Sequence, residues 1–284
     1  MILGIRTLIQ SARAAENMIH TDNERPGLLS KVPAVTLAFW IIKICATTVG
    51  ETGGDALSMT LQLGYAVSTL IFLCFFLVTV SAQFASKKYH PFIDWAVVVA
   101  TTTVGTTLSD FLDRTAGLGY IYSSIIEFAA VIAVLIAWKI TTGAIEFDKI
   151  ASRTDELFYW LTILVANTLG TALGDCVADD MGLGFERGAL LFAGLLAVVL
   201  AAYFFTKIPR AVLFWAAYVL TRPLGATLGD MLTKPHDEGG LNLGRIASSL
   251  VIAGVMIVLI AFFSRRRVAA VQSAVPTAQS VESA

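Results

Sequence analysis

Four aspartates, Asp55, Asp110, Asp175 and Asp230, each follow a small residue (Gly54, Ser109, Gly174, Gly229) and stand five residues after a glycine (Gly50, Gly105, Gly170, Gly225). The block G-x-x-x-[GS]-D therefore occurs four times. Carboxylates in apolar surroundings can carry protons, ligate hard cations or activate water as a pair. Oxygen-bearing side chains surround them: Glu51, Thr48 and Thr52 before Asp55, Thr103 and Thr107 before Asp110, Asn167 and Thr171 before Asp175, and Thr227 before Asp230. Such donors suit Mg, Mn or Ca better than Zn or Cu(I), so the four aspartates are the expected metal ligands. Sulfur is nearly absent there. Cys45, Cys74 and Cys176 have no C-x-x-C spacing and are read as small core residues, giving neither a disulfide framework nor a zinc site.

The small residues must bring helices together. Where no hydrophobic effect drives association, a G-x-x-x-small face lets two backbones approach closely. A tryptophan stands fifteen residues before each aspartate, at Trp40, Trp95, Trp160 and Trp215. Asp94 and Glu156 beside two of them suggest an interface tryptophan belt, which puts each aspartate ~22 Å further along its helix, in the far half of a ~30 Å apolar slab. A Leu-Gly pair after each aspartate opens a second apolar run, over 63–82, 120–138, 189–205 and 246–263.

These spacings predict an all-α integral membrane protein with eight transmembrane helices, arranged as four tandem two-helix repeats of one orientation. Composition agrees, since 56% of the residues are hydrophobic and 14% charged, too apolar a balance for a water-soluble domain of this length. The expected organisation is an N-terminal segment 1–31, repeats at 32–86, 87–145, 146–206 and 207–264, and a disordered tail 265–284. No signal peptide is read at the start. Fourteen Lys and Arg lie in the connections on the tryptophan side and four (Arg114, Arg187, Lys234, Arg245) on the aspartate side, so both termini are expected in the cytoplasm.

Symmetry is broken by Lys43, Glu51, Glu127 and Arg222, all expected within helices. Arg222 takes the place of Thr47, Thr102 and Asn167, and Glu127 takes that of Phe72, Phe192 and Ile252. Charge pairing and proton coupling are both open for Glu127, Lys43 and Arg222. With all groups ionised, the four aspartates, Glu51 and Glu127 set six negatives against two positives, leaving room for a cation or protons. Asp113, Asp179, Asp180, His236, Asp237 and Glu238 fall in connections and are read as solvated, with a cation vestibule as the alternative.

The Trp and G-x-x-x-[GS]-D pattern over residues 33–263 resembles a family of bacterial inner-membrane proteins built from a tandem repeat of unknown function. That resemblance implies the fold and a bacterial inner-membrane location. It supplies no substrate. The expected function is a secondary transporter or exporter of a cation, a divalent metal such as manganese foremost, driven by proton exchange at the carboxylates. Alternatives are a small organic cation or polar metabolite, a membrane scaffold, or an intramembrane aspartyl hydrolase. The last is disfavoured because Thr52, Thr107, Ala172 and Thr227 stand where the Gly-x-Gly-Asp form of intramembrane aspartyl proteases needs its first glycine. No enzyme activity and no cofactor are therefore expected. The expected partners are lipid, a small cation or other small substrate and a homo-oligomer mate, with no nucleic acid. No Walker motif accompanies them, which sets ATP coupling within the chain aside.

Overall fold

The computed structural model describes residues 35–86, 90–145 and 152–274, with side chains through residue 265. The expected N-terminal segment 1–31, with the reading that no signal peptide is present, lies outside the described residues. Eight long helices follow one another: α1 (Leu37–Asp55), α2 (Gly64–Ala85), α3 (Pro91–Asp110), α4 (Tyr120–Thr142), α5 (Arg153–Asp175), α6 (Gly184–Phe205), α7 (Arg210–Thr233) and α8 (Arg245–Ala274). No strand occurs among the described residues.

Local chemistry sets the helix starts. The Thr36 hydroxyl accepts from the Phe39 amide, Ser152 accepts from the Asp155 amide, and Pro91 opens α3, where its missing N–H costs nothing. After Asp55, Asp110 and Asp175 the chain makes a five-residue π-helical turn, Ala56–Thr60, Phe111–Thr115 and Cys176–Asp180. The return to the next helix passes through Gly64, Gly119 and Gly184 at φ near +72°, a conformation strained for any residue with a Cβ. Repeat four departs from this. Thirteen residues separate Asp230 from Leu243, against eight in the other copies, and a short 3-10 turn, His236–Glu238, replaces the π-helical one.

Helices α1, α3, α5 and α7 form a closed inner ring, α1 against α3, α3 against α5, α5 against α7, and α7 back against α1. Each even helix packs outside the ring against the odd helix of the following repeat: α2 on α3, α4 on α5, α6 on α7, and α8 on α1. Within one repeat the two helices meet mainly through the turn that joins them. The chain thus weaves around the ring, and the last helix closes on the first.

The outer helices present Leu70, Val78, Ile125, Phe128, Leu190, Val198, Leu250 and Val258 to the surroundings. Charged side chains are buried in the ring instead, an inside-out distribution that suits lipid as solvent. Seven of the eight helices are long and apolar enough to cross a membrane. The exception is α1, whose Lys43, Glu51 and Asp55 dilute its apolar character and are all buried against its neighbours. The whole is the make-up of a multi-pass membrane protein.

Three expectations need correction. The tryptophans do not form a belt facing outward: Trp95, Trp160 and Trp215 are buried and Trp40 partly so, in a cluster with Phe39, Tyr159, Phe214, Tyr218 and Trp138. Their apolar rings fill the end of the inner ring. The tail does not begin at residue 265, because α8 continues through Ala274. Arg, Ala and Gln favour helix, and no proline intervenes before Pro276, which lies outside the described residues with the rest of 275–284. Cys74 is not a core residue but an exposed one on α2; Cys176 is buried and Cys45 partly so.

Candidate functional site

The four glycine motifs build the ring joint by joint. A Cβ on Gly50 would overlap the side chain of Thr102, one on Gly105 would lie 2.8 Å from the Asn167 backbone carbonyl carbon, one on Gly170 would strike Arg222, and one on Gly225 would strike Thr47. Each glycine therefore receives the residue that stands eight positions before the next repeat's aspartate, and the rule closes from repeat four to repeat one. Hydrogen bonds follow the same cycle. The hydroxyl of Thr102 donates to Ala46 O and that of Thr47 to Thr221 O, each at 3.2 Å, while Asn167 Nδ2 donates to Thr101 Oγ1 at 3.0 Å. The small residues Gly54, Gly174 and Gly229 repeat the close approach four positions on, against Thr106, Ala226 and Glu51.

Arg222 breaks the cycle and fills it. Its side chain is fully buried, and one guanidinium nitrogen donates to Glu51 Oε2 at 2.9 Å, to Thr106 Oγ1 and to Thr171 Oγ1 at 2.7 Å. Glu51, Thr106, Thr171 and Ala226 hold equivalent positions, four before each aspartate. A single arginine thus ties together the other three repeats at one level of the axis. Toward the tryptophan end, Lys43 is equally buried, its Nζ 3.5 Å from Asn167 Oδ1 and 4.0 Å from the centre of the Tyr218 ring. It pairs with an amide and an aromatic face rather than with a carboxylate.

Toward the other end the aspartates are all buried, at 2–3% exposure. Each has a basic partner. Arg114 bridges Asp110 at 3.2 Å and Asp175 at 3.5 Å, Lys234 lies 3.6 Å from Asp230, and Arg245 donates to Asp55 at 3.3 Å. Tyr65 and Tyr120 flank the Arg114 guanidinium. Lys234 lies just past α7. Burial alone would lower its pKa, but Asp230, helped by Asp55 and Asp175, outweighs that and holds it above the ordinary lysine range.

The four aspartates consequently do not make one fourfold carboxylate centre. Arg114 reserves Asp110 and Asp175, whereas Asp55 and Asp230 join Glu51 in a cluster whose oxygens can lie within 4.8 Å of one another. That cluster is the one group of three metal-ligating side chains among the described residues. The expected excess of negative charge also narrows. Glu51 and the four aspartates have four basic partners, Arg114, Arg222, Lys234 and Arg245, while Lys43 stands apart toward the tryptophan end and Glu127 lies on α4 outside the inner ring.

The threonine stripe is only partly on the axis. Thr48, Thr103, Thr107 and Thr227 return their hydroxyls to carbonyls of their own helices, and Thr52 accepts from Ser249 of α8. Of the expected group, Thr171 and Asn167 reach the centre. Thr47, Thr101, Thr102, Thr106, Tyr218, Arg114, Lys234 and Arg245 belong to the site but were not read as such. One signal for the cations was present: Arg114 and Lys234 each stand four residues after an aspartate, one helical turn on.

A ring of two-helix repeats, charged along its axis and apolar around its rim, defines a tandem-repeat helical protein of the membrane type. The chain belongs to the Repeat of Unknown Function (DUF347) family, whose profile matches residues 38–89, 95–144, 158–208 and 213–269. No curated protein and no solved structure matches it.

Proposed function

We propose that this protein is a secondary transporter of a small cation, a divalent metal such as manganese foremost, exchanged for protons across the cytoplasmic membrane of a bacterium. The observation that carries the reading is the Glu51, Asp55 and Asp230 cluster, three buried carboxylates on adjacent helices of a closed ring. In this reading all eight helices span, the four repeats share one orientation, and both ends of the chain face the cytoplasm.

The basic partners give the site a way to be empty. Arg222, Lys234 and Arg245 neutralise Glu51, Asp230 and Asp55 respectively, so each carboxylate of the unloaded cluster has a positive partner in a medium of low dielectric. An arriving cation takes the carboxylate oxygens from these side chains, and they reclaim them when it leaves. The aromatic cluster at one end and the ion-paired aspartates at the other are then the two barriers that open in turn.

A small organic cation is the second reading. Its specific support is Arg222, an internal guanidinium already seated among Glu51, Thr106 and Thr171.

Proteoliposomes holding the purified protein under an imposed pH gradient test both. Saturable uptake of a divalent cation is expected, reduced at least tenfold by Asp230→Asn or Asp55→Asn and less by Asp110→Asn, whose carboxylate is reserved by Arg114. Uptake of guanidinium or a primary amine in place of every metal would select the second reading. A folded wild type that moves none of these would leave the ring as a scaffold and overturn the transport proposal.

A further inference from the structure

Outside the axial site, Asp113 sits in the π-helical turn after α3, with 5% of its surface exposed. The Ser109 hydroxyl donates to one of its oxygens at 3.1 Å, and the other has no partner. The Ser123 hydroxyl of α4 borders the same carboxylate while donating to Gly119 O. One turn further along α4 comes Glu127, 4% exposed, with neither carboxylate oxygen partnered. Side chains four apart on a helix share a face and lean toward its N-terminus, so Glu127 leans back toward Ser123 and Asp113. Ser124 adds a third unpartnered oxygen-bearing side chain on this stretch.

No basic side chain forms an ion pair with either carboxylate among the described residues, although the Arg114 charge also reaches Asp113. Arg114 is the neighbour of Asp113 in sequence, but its guanidinium is engaged by Asp110 and Asp175. From the turn after α5, which packs on α4, Asp180 adds further negative charge near Asp113, and Cys176 also borders it. The arrangement is confined to this joint between repeats two and three. Phe72, Phe192 and Ile252 stand in place of Glu127, and Ser58, Ala178 and Thr233 in place of Asp113.

We infer that Asp113 and Glu127, with Ser124, form a second cation site off the axis, which takes a hard divalent ion such as Ca, Mg or Mn. Two buried carboxylates near enough to repel each other favour a compensating positive charge, and an all-oxygen donor set directs the choice to hard ions. The ion would fasten α4 to the turn that ends α3, which makes the site a clamp at the rim of the ring and independent of any transport along the axis.

Thermal unfolding of the purified full-length protein in detergent, at fixed pH and ionic strength, tests this without a flux assay. Adding Ca, Mg or Mn chloride in place of choline chloride is expected to raise Tm saturably, by about 5 °C at a hundredfold excess over Kd. In an Asp230→Asn background, which disables the axial cluster, the rise should remain, and adding Glu127→Gln or Asp113→Ser, the second installing the residue found at Ser58, should each abolish it. Glu127→Gln should also melt no lower than the wild type without metal, since it removes an uncompensated charge. A wild-type Tm that ignores all three metals, or a rise that persists in the Asp230→Asn background after both Glu127→Gln and Asp113→Ser, overturns the site. A rise lost only in Asp230→Asn assigns the ion to the axial cluster and overturns it equally.

Discussion

Replacing Arg222 with methionine is expected to destabilise the protein by about 3–5 kcal/mol, because Glu51 would be left as an unpaired buried charge. The loss has several parts. The guanidinium bonds to Glu51, Thr106 and Thr171 disappear together, so repeats one, two and three lose their common tie. The informative variant is the double one. Arg222→Met with Glu51→Gln removes both charges, and the pair should cost at least about 1 kcal/mol less than the sum of the single changes. Reversible unfolding in mixed micelles with rising sodium dodecyl sulfate measures all four proteins of the cycle. Additive effects would mean that the arginine acts through packing alone.

Gly105→Ala should be nearly as damaging. The new methyl would lie 2.8 Å from the Asn167 carbonyl carbon and 3.0 Å from the Thr168 nitrogen, both backbone atoms, so α3 and α5 must separate. Overpacking of this kind costs about 1–3 kcal/mol, and the upper end is expected because no flexible side chain is there to yield. Gly194→Ala is the control. It sits on α6 with nothing within 4 Å of the added carbon, and the better helix propensity of alanine should leave stability unchanged or raised by up to about 1 kcal/mol. The same unfolding titration reads both. Equal effects at the two positions would remove the close approach of helices as the role of the motif.

The architecture was largely legible in the sequence because it is repetitive. Four Trp, Gly and Asp residues at constant offsets announce four copies, and each Leu-Gly pair marks the turn where the glycine adopts a positive φ in the first three. Which helix packs on which was not legible. The even helices dock on the following repeat rather than on their own, and nothing in a local pattern distinguishes a contact across a turn from one across a repeat boundary.

The site was read one residue out of register. The stripe Thr48, Thr52 and Thr103, Thr107 satisfies a helical spacing, but a threonine can bond to the carbonyl a turn behind it and so tolerate an apolar neighbour on any face. The face that closes the ring is the one holding Thr47, Gly50, Glu51 and Gly54, with spacings of three and four. Broken symmetry was the better guide, since Arg222 and Glu51 stand at two levels of that face. The cations that pair with the aspartates escaped notice because they lie in connecting segments, where positive charge is ordinarily read as topology rather than chemistry.

The docking of α8 on α1 means that the path of the chain, followed through its contacts, has no beginning. Any two-helix unit could serve as the first without altering one backbone interface, so the folding pattern is indifferent to circular permutation. Position in the ring is recorded by the longer turn of repeat four and by side chains that occur once: Lys43, Arg114, Glu127, Arg222 and Arg245 are the addresses by which otherwise similar units differ.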